Sequence, residues 1–431
     1  WRCQASEQAL PWYHRAAEQA LEAEDLNAVL AYAERALDCG AQGETRGALR
    51  RLQAETHNWR GDHGEAQQCG REALKLLPAN SDAWGDAAHH QIFACGNLAA
   101  YDEVEAVCDR LLASIDRPSQ WRHLFALTWS VAHLAAGGRG DRAYQLRDSL
   151  DQVTEMGEIP KSLIAALADV DAFLASMSGK PDRAVALFRR ASRHWTAVGN
   201  ARNACLSQSN AGDDLVRLGQ YGEAESNQRE LLEMSERLGA DYLLGDIKTN
   251  LARALNGLGR ADEAESILRE VLAGDAPPFQ RLWAMVNLCE VLYTKANYGE
   301  ALAETHRAAQ AAEGQPRHEA HIFAVRARTL LVLERDNEAL SVTRLSMLLL
   351  NDHGVAVEDD ALPRLAHAEA LYACGEHAEA RRALKAAEDR LLTRAKQIQN
   401  PQWQASFLGN VAENRRTLEL SKAWGLPDLE R

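Results

Sequence analysis

The stretch HEAH at 318–321 sets two imidazoles three residues apart with a carboxylate between them. On a helix that spacing brings His318 and His321 to one face, where a zinc site would begin. The pattern is not H-E-x-x-H, however, and no third ligand stands nearby in the sequence. CGEH at 374–377 and the pair His89-His90 likewise lack a partner fixed by spacing, and Cys374 reads as the end of a helix before a turn glycine, Gly375. GGRGDRA at 137–143 has the glycine content of a phosphate loop without the Lys-Ser/Thr that would hold phosphate and magnesium. A nucleophile elbow and a kinase signature are also missing. No metal, cofactor or catalytic residue is therefore expected. An enzyme here would have to assemble its site around groups such as Glu290, His321 and Arg328, none of which has a partner set by spacing.

A different set of polar residues does recur at fixed spacing. SNAGDDLVRLGQYGEAESNQRELL (209–232), TNLARALNGLGRADEAESILREVL (249–272) and VNLCEVLYTKANYGEALAETHRAA (286–309) each carry an asparagine second and a Glu-Ala pair in the same later slot. On a helical wheel of about 100° per residue, Leu251, Ala252 and Leu255 form one face, and Asn250 and Arg253 fall opposite. Asn210, Asp213 and Arg217 repeat that geometry one unit earlier, and Asn287, Glu290 and Thr294 one unit later. An amide offers both donor and acceptor, so a ladder of asparagines can bracket an extended peptide backbone without reading its side chains. These eight residues are the expected partner-binding face. The alternative is that the asparagines bond neighbouring helices or face water. If they stand off the packed face, replacing all three by alanine leaves folding nearly unaffected.

The elements that must position them follow from composition and period. The chain has 431 residues, 46% hydrophobic but only 6% aromatic, rich in Ala and Leu at three- and four-residue intervals. That pattern predicts close-packed helices. The formal charge is −14 with no basic tract, which disfavours nucleic acid and anionic membranes as partners. No apolar run is long enough for a membrane span. Eight scattered cysteines without a C-x-x-C pair suit a reducing cytoplasm. The start at Trp1, without an initiator Met, reads as part of a longer or processed polypeptide.

A helix, a glycine-type turn and an alanine-centred second helix recur ten times. The small crossing residues are Val29, Ala66, Val104, Ala143, Ala184, Ala224, Ala264, Ala301, Ala339 and Ala380, spaced 37 to 41 residues apart. Seven residues after each stands another small or apolar residue, from Ala36 to Ala387. This resembles the tetratricopeptide repeat, with the second unit, LQAETHNWRGDHGEAQQCGREALKLLP, and the seventh fitting best. The period is longer than that family's usual one, and the third, fourth and ninth units are degenerate. The resemblance implies an all-α, tetratricopeptide-type α-solenoid of about ten helix-turn-helix repeats. It also implies a right-handed superhelix with first helices on the concave wall. Residues 1–400 form the expected array. Residues 401–431 form the expected C-terminal cap, with Trp403, Phe407 and Leu408 covering the last apolar surface.

WYHRAAEQALEAEDLNAVLAYAERALDCGAQGETRGALRRLQAETHNWRGDHGEA (12–66) and SFLGNVAENRRTLELSKAW (406–424) resemble the two ends of a more particular repeat region. That region follows the catalytic domain of myxobacterial-type eukaryotic-like serine/threonine kinases and related ATPase regulators. Ala412 stands where it often has Pro. The resemblance implies a cytoplasmic, non-enzymatic sensor or docking array for a protein or extended peptide, including its own upstream effector domain. A scaffold or inhibitory sleeve on an effector such as a protease, nuclease or kinase is the alternative.

Overall fold

The computed structural model describes residues 2–23, 25–115, 120–154, 158–238, 241–352 and 360–426. They hold 22 α-helices and one short 3-10 turn, and among the described residues there is no strand. Packing divides the chain into two compact units, residues 1–170 and 171–431.

The first unit contains α1 (Arg2–Glu22), α2 (Leu26–Asp38), α3 (Gly43–Arg60), α4 (His63–Leu76), α5 (Asp82–Asn97), α6 (Tyr101–Ser114), α7 (Trp121–Ala136) and α8 (Gly140–Thr154). It also holds the beginning of α9 (Lys161–Met177). The second unit takes the rest of α9 with α10 (Pro181–Ala197), α11 (Ala201–Arg217), α12 (Tyr221–Leu238), α13 (Leu244–Gly257), α14 (Ala261–Ala273) and α15 (Pro278–Thr294). It continues with α16 (Tyr298–Ala311), α17 (Pro316–Val332), α18 (Asp336–Asp352), α19 (Ala361–Ala373), α20 (His377–Ala395), α21 (Pro401–Gly409) and α22 (Ala412–Ala423).

Local chemistry sets these boundaries. Asp25, Ser81, Asn200 and Asn400 each accept a backbone N–H from the first turn of the helix they open. Pro181, Pro278, Pro316 and Pro401 occupy first helical positions, where a missing N–H costs nothing. Odd- and even-numbered helices pair through tight turns that need one left-handed residue. Gly61, Gly138, Gly219, Gly259 and Gly375 supply it. Ala99, Ala296 and Glu334 adopt the same conformation at φ 56°, 58° and 58°, so the turn persists in repeats that lack its glycine.

All ten crossing residues are fully buried, and every residue seven positions on is at most 7% exposed. The small side chains let each second helix lie close against its first. First helices also meet first helices of adjacent repeats, as α13 does with α11 and α15. Leu251, Leu255, Ala264, Leu268, Ala284, Leu288 and Ala301 merge into one core across two successive pairs. A repeat stack buries its apolar faces in this nearest-neighbour way.

The C-terminal helices of the second unit make a contact that the repeat does not call for. Leu391, Ala395, Ile398 and Phe407 share a core with Val185, Leu215, Leu218 and Ala224, and Trp403 and Leu408 pack at its edge. The Gln220 amide donates to Ser406 Oγ at 2.7 Å, Asn410 Nδ2 to the Gly219 carbonyl at 3.0 Å, and the Gln399 N–H to Asp182 at 3.0 Å. The second unit therefore closes on itself. Residues 427–431 of the expected cap lie outside the described residues.

Replacing Ala264 by Leu should insert bulk at a fully buried crossing between α13 and α14. Denaturant unfolding should show a loss of roughly 1–3 kcal/mol. An unchanged midpoint would contradict this register.

Candidate functional site

Closure of the second unit leaves a cavity of about 530 Å³ on the inner side of α11, α13, α15 and α17, with α20 to α22 completing the wall. Five of the eight expected residues line it: Arg217, Arg253, Asn287, Glu290 and Thr294. Asp213 bridges Arg217, at 2.9 Å, and Arg253. Asn210 and Asn250 are not on the cavity wall.

The free-standing asparagine ladder is corrected by this packing. Asn250 is 5% and Asn287 3% exposed, so the face opposite Leu251 and Leu255 is also covered. The reason is that α13 and α15 are flanked by neighbouring first helices on the side the single-helix wheel treats as open. Asn250 Nδ2 donates to Ser209 Oγ of the preceding repeat at 3.3 Å. Asn287 Nδ2 donates to the Trp283 carbonyl one turn back at 2.7 Å. Asn210 is half-buried. The amide donors of Asn250 and Asn287 thus already serve the fold.

Charge and aromatic groups dominate the wall instead. Glu290 accepts a hydrogen bond from His321, one repeat along. Burial alone would raise the Glu290 carboxyl, but His321 against it, with Arg253 and Arg328 nearby, holds it below the usual carboxylate range. Arg328 lies 3.5 Å from Glu369 and 4.8 Å above the Tyr293 ring. Arg253 stacks on Trp283 at 5.0 Å and Arg394 on Phe407 at 5.5 Å. Burial pushes the Tyr221 and Tyr293 phenols up, so both stay neutral. Glu290, His321 and Arg328, named from sequence without a spacing rule, thus converge on one wall because successive first helices stand side by side.

Sequence reasoning missed the contribution of residues 407–415 and of Tyr221, Asn256 and Arg394. Tyr221 and Asn256 stand beside Arg217 and Arg253 on α12 and α13, whereas Arg394 and residues 407–415 reach the cavity through closure over nearly the whole unit, beyond the nearest-neighbour contacts that repeat logic carries.

The other sequence candidates have structural roles. His318 packs edge-on against Trp283 at 6.0 Å, and His377 lies 4.5 Å from Tyr372. His90 has a carboxylate partner after all, Glu55 of the preceding repeat at 3.3 Å, which with Arg51 overcomes burial and lowers Glu55 to about 2. His89 lies 5.0 Å from Phe125 in a T-shaped contact. Among the described residues no group of three or more His, Cys, Asp or Glu could hold a metal ion, and no helix is long and apolar enough to cross a membrane.

The bridge at Asp213 and the half-buried Asn210 give opposite expectations. Asp213→Ala leaves two guanidiniums, 11% and 17% exposed, without their shared carboxylate and should cost roughly 1–3 kcal/mol in denaturant unfolding. Asn210→Ala should stay within about 0.5 kcal/mol. Equal losses would contradict the assignment of the wall's structural bonds.

Residues 203–275, the span from α11 to the end of α14, match the tetratricopeptide repeat family. No curated protein sequence matches the chain. Among solved structures, a Rap protein complexed with Competence and Sporulation Factor is similar at a TM-score of 0.53 and 12% identity, covering 89% of this chain and 99% of that one. The apo form of the quorum sensor NprR from B. thuringiensis is similar at a TM-score of 0.53 and 14% identity, covering 79% of this chain and 97% of that one. Helix order, turn geometry, buried crossings and these likenesses agree on one fold: the chain is an all-α, tetratricopeptide-type α-solenoid.

Proposed function

We propose that this protein is a non-enzymatic, cytoplasmic binding array whose ligand is a peptide or a segment of a partner protein, held in the cavity of the second unit. The observation that carries this reading is the cavity wall itself. Consecutive repeats place Arg217, Arg253, Asn287, Glu290, Thr294, His321 and Arg328 around about 530 Å³, enough room for a short stretch of chain. A wall of alternating charge, amide and aromatic surface suits a ligand with backbone polar groups and mixed side chains. The fold likeness to a Rap protein solved with Competence and Sporulation Factor and to a quorum sensor supports the same reading. An enzyme is less well supported: the Glu290 carboxylate and His321 imidazole are committed to each other, and neither Ser nor Cys is among the described lining residues.

What the ligand controls follows from the chain's ends. Residues 12–66 and 406–424 resemble the repeat region attached to myxobacterial-type kinases and related ATPase regulators, so an upstream effector is the proposed recipient of the signal. Residues 1–400 are then the array and residues 401–431 its cap, with residues 407–415 also completing the ligand cavity.

Thr294 is exposed on the cavity wall and its hydroxyl bonds only its own helix, at the Glu290 carbonyl. Thr294→Trp should fill the cavity without touching the core. With a ligand captured by the full chain from its source lysate, calorimetry should show binding weakened about tenfold or more and melting unchanged. Glu236→Trp, on the exposed face of α12, should bind normally. Equal binding by both variants would place the ligand elsewhere.

A further inference from the structure

Four imidazoles gather where α4, α5 and α7 of the first unit meet: His63 on α4, His89 and His90 on α5, and His133 on α7. They alternate with aromatic rings. His89 packs 5.0 Å from Phe125 and 6.2 Å from Trp129, while Phe93 lies 5.9 Å from His63 and 5.5 Å from His133. His89 and His90 are themselves 5.0 Å apart. His133 fills the notch that Gly96 leaves on α5, where a Cβ would collide with its ring. Polar partners are few. His90 has Glu55 at 3.3 Å. His63 Nδ1 donates to Asn58 Oδ1 at 3.3 Å, an orientation set by Asn58 Nδ2 on the His90 carbonyl at 2.8 Å. His89 Nδ1 is buried with no hydrogen-bond partner, and neither His89 nor His133 is paired with a carboxylate among the described residues.

We propose that this layer is an acid-sensitive latch, in which protonation of His89 and His133 loosens α7 from α5. As neutral rings the imidazoles pack like the aromatics around them. In the neutral His89 ring Nδ1 can stay bare, whereas in the cation it carries a proton with no acceptor. The surroundings offer little to balance the charge. From α3 come Glu55 and Arg51, which pair at 3.4 Å, and from α4 His63, with Asp62 before it. On α6, Glu103 is held by Arg71, and Arg139 and Arg142 at the start of α8 are bound to Glu105 and Asp109. Burial and then His90 hold His89 well below the usual imidazole range, and burial and then His63 push His133 down to about 4. Burial lowers His63 too, against Asp62. Each therefore binds a proton more readily once the unit opens. Their contribution to stability is complete above the ordinary imidazole value of 6.5 and is lost as pH falls toward the folded values. Glu55, lowered to about 2, keeps its contribution through that window.

The second unit supplies an internal control. On α13 its buried Asp246, raised to about 7, contributes stability that grows as pH falls below that value, the opposite sign. The test is amide hydrogen exchange of the full chain at roughly pH 7.5 and roughly pH 5.5, with protection taken relative to the intrinsic exchange rate at each pH. Protection of α5 and α7 should fall about tenfold or more on acidification, since the lowering of His133 to about 4 alone accounts for roughly tenfold. Protection of α13 and α15 should hold within about threefold. Unchanged protection of α5 and α7, or an equal fall in α13 and α15, overturns the proposal. His133→Phe keeps a ring in the notch and removes the proton site, so the acid effect should shrink by about tenfold. An undiminished effect in that variant also overturns it. The effect is a ratio read within each protein, so a variant less protected at both pH values still decides, and the native series decides without it.

Discussion

The second unit depends on one long-range contact, the seating of α20 and α21 on α10 to α12. A repeat stack needs only neighbour-to-neighbour packing to hold together, and it can stop at any length once its last apolar face is covered. Here the C-terminal segment turns back. Phe407 enters a core that already holds Val185, Leu215 and Leu218, and backbone and side-chain bonds from Gln399, Ser406 and Asn410 reach residues about 190 to 220 positions earlier. Without this contact α22 would not face α15, and the cavity would be an open groove.

Gly219 shows how tightly the seam is built. Its backbone is left-handed at φ 70°, as the repeat turn requires. A Cβ there would also stand 2.8 Å from both Asn410 Cβ and the Ser406 carbonyl oxygen. One residue therefore answers two demands, the local turn and the approach of a helix from the far end of the unit. The first is common to many repeats, while the second belongs to this position alone.

The fold was legible because its signal is repeated. Ten crossing residues at regular spacing identified the buried positions one by one, and each is fully buried. The turns were legible even in degenerate repeats, where Ala99 and Glu334 stand in for glycine. The site was legible only in part. A single-helix wheel finds the face toward a helix's own partner but not the flanks covered by adjacent first helices, so Asn250 and Asn287 were read as open when they are buried. Arg253 and Glu290 were within reach of sequence because they sit in register on consecutive repeats. Glu413 and Asn414 were not, since nothing in a periodic pattern announces contact between its two ends.

The closed seam is best tested by amide hydrogen exchange on the full chain carrying Gly219→Val. If the seam holds the C-terminal helices in place, the amides of residues 401–423 lose protection although they lie far away in sequence, and those of α15 to α18 keep theirs. A change confined to residues 215–224, with residues 401–423 as protected as in the native chain, would contradict the closed second unit and the cavity built on it.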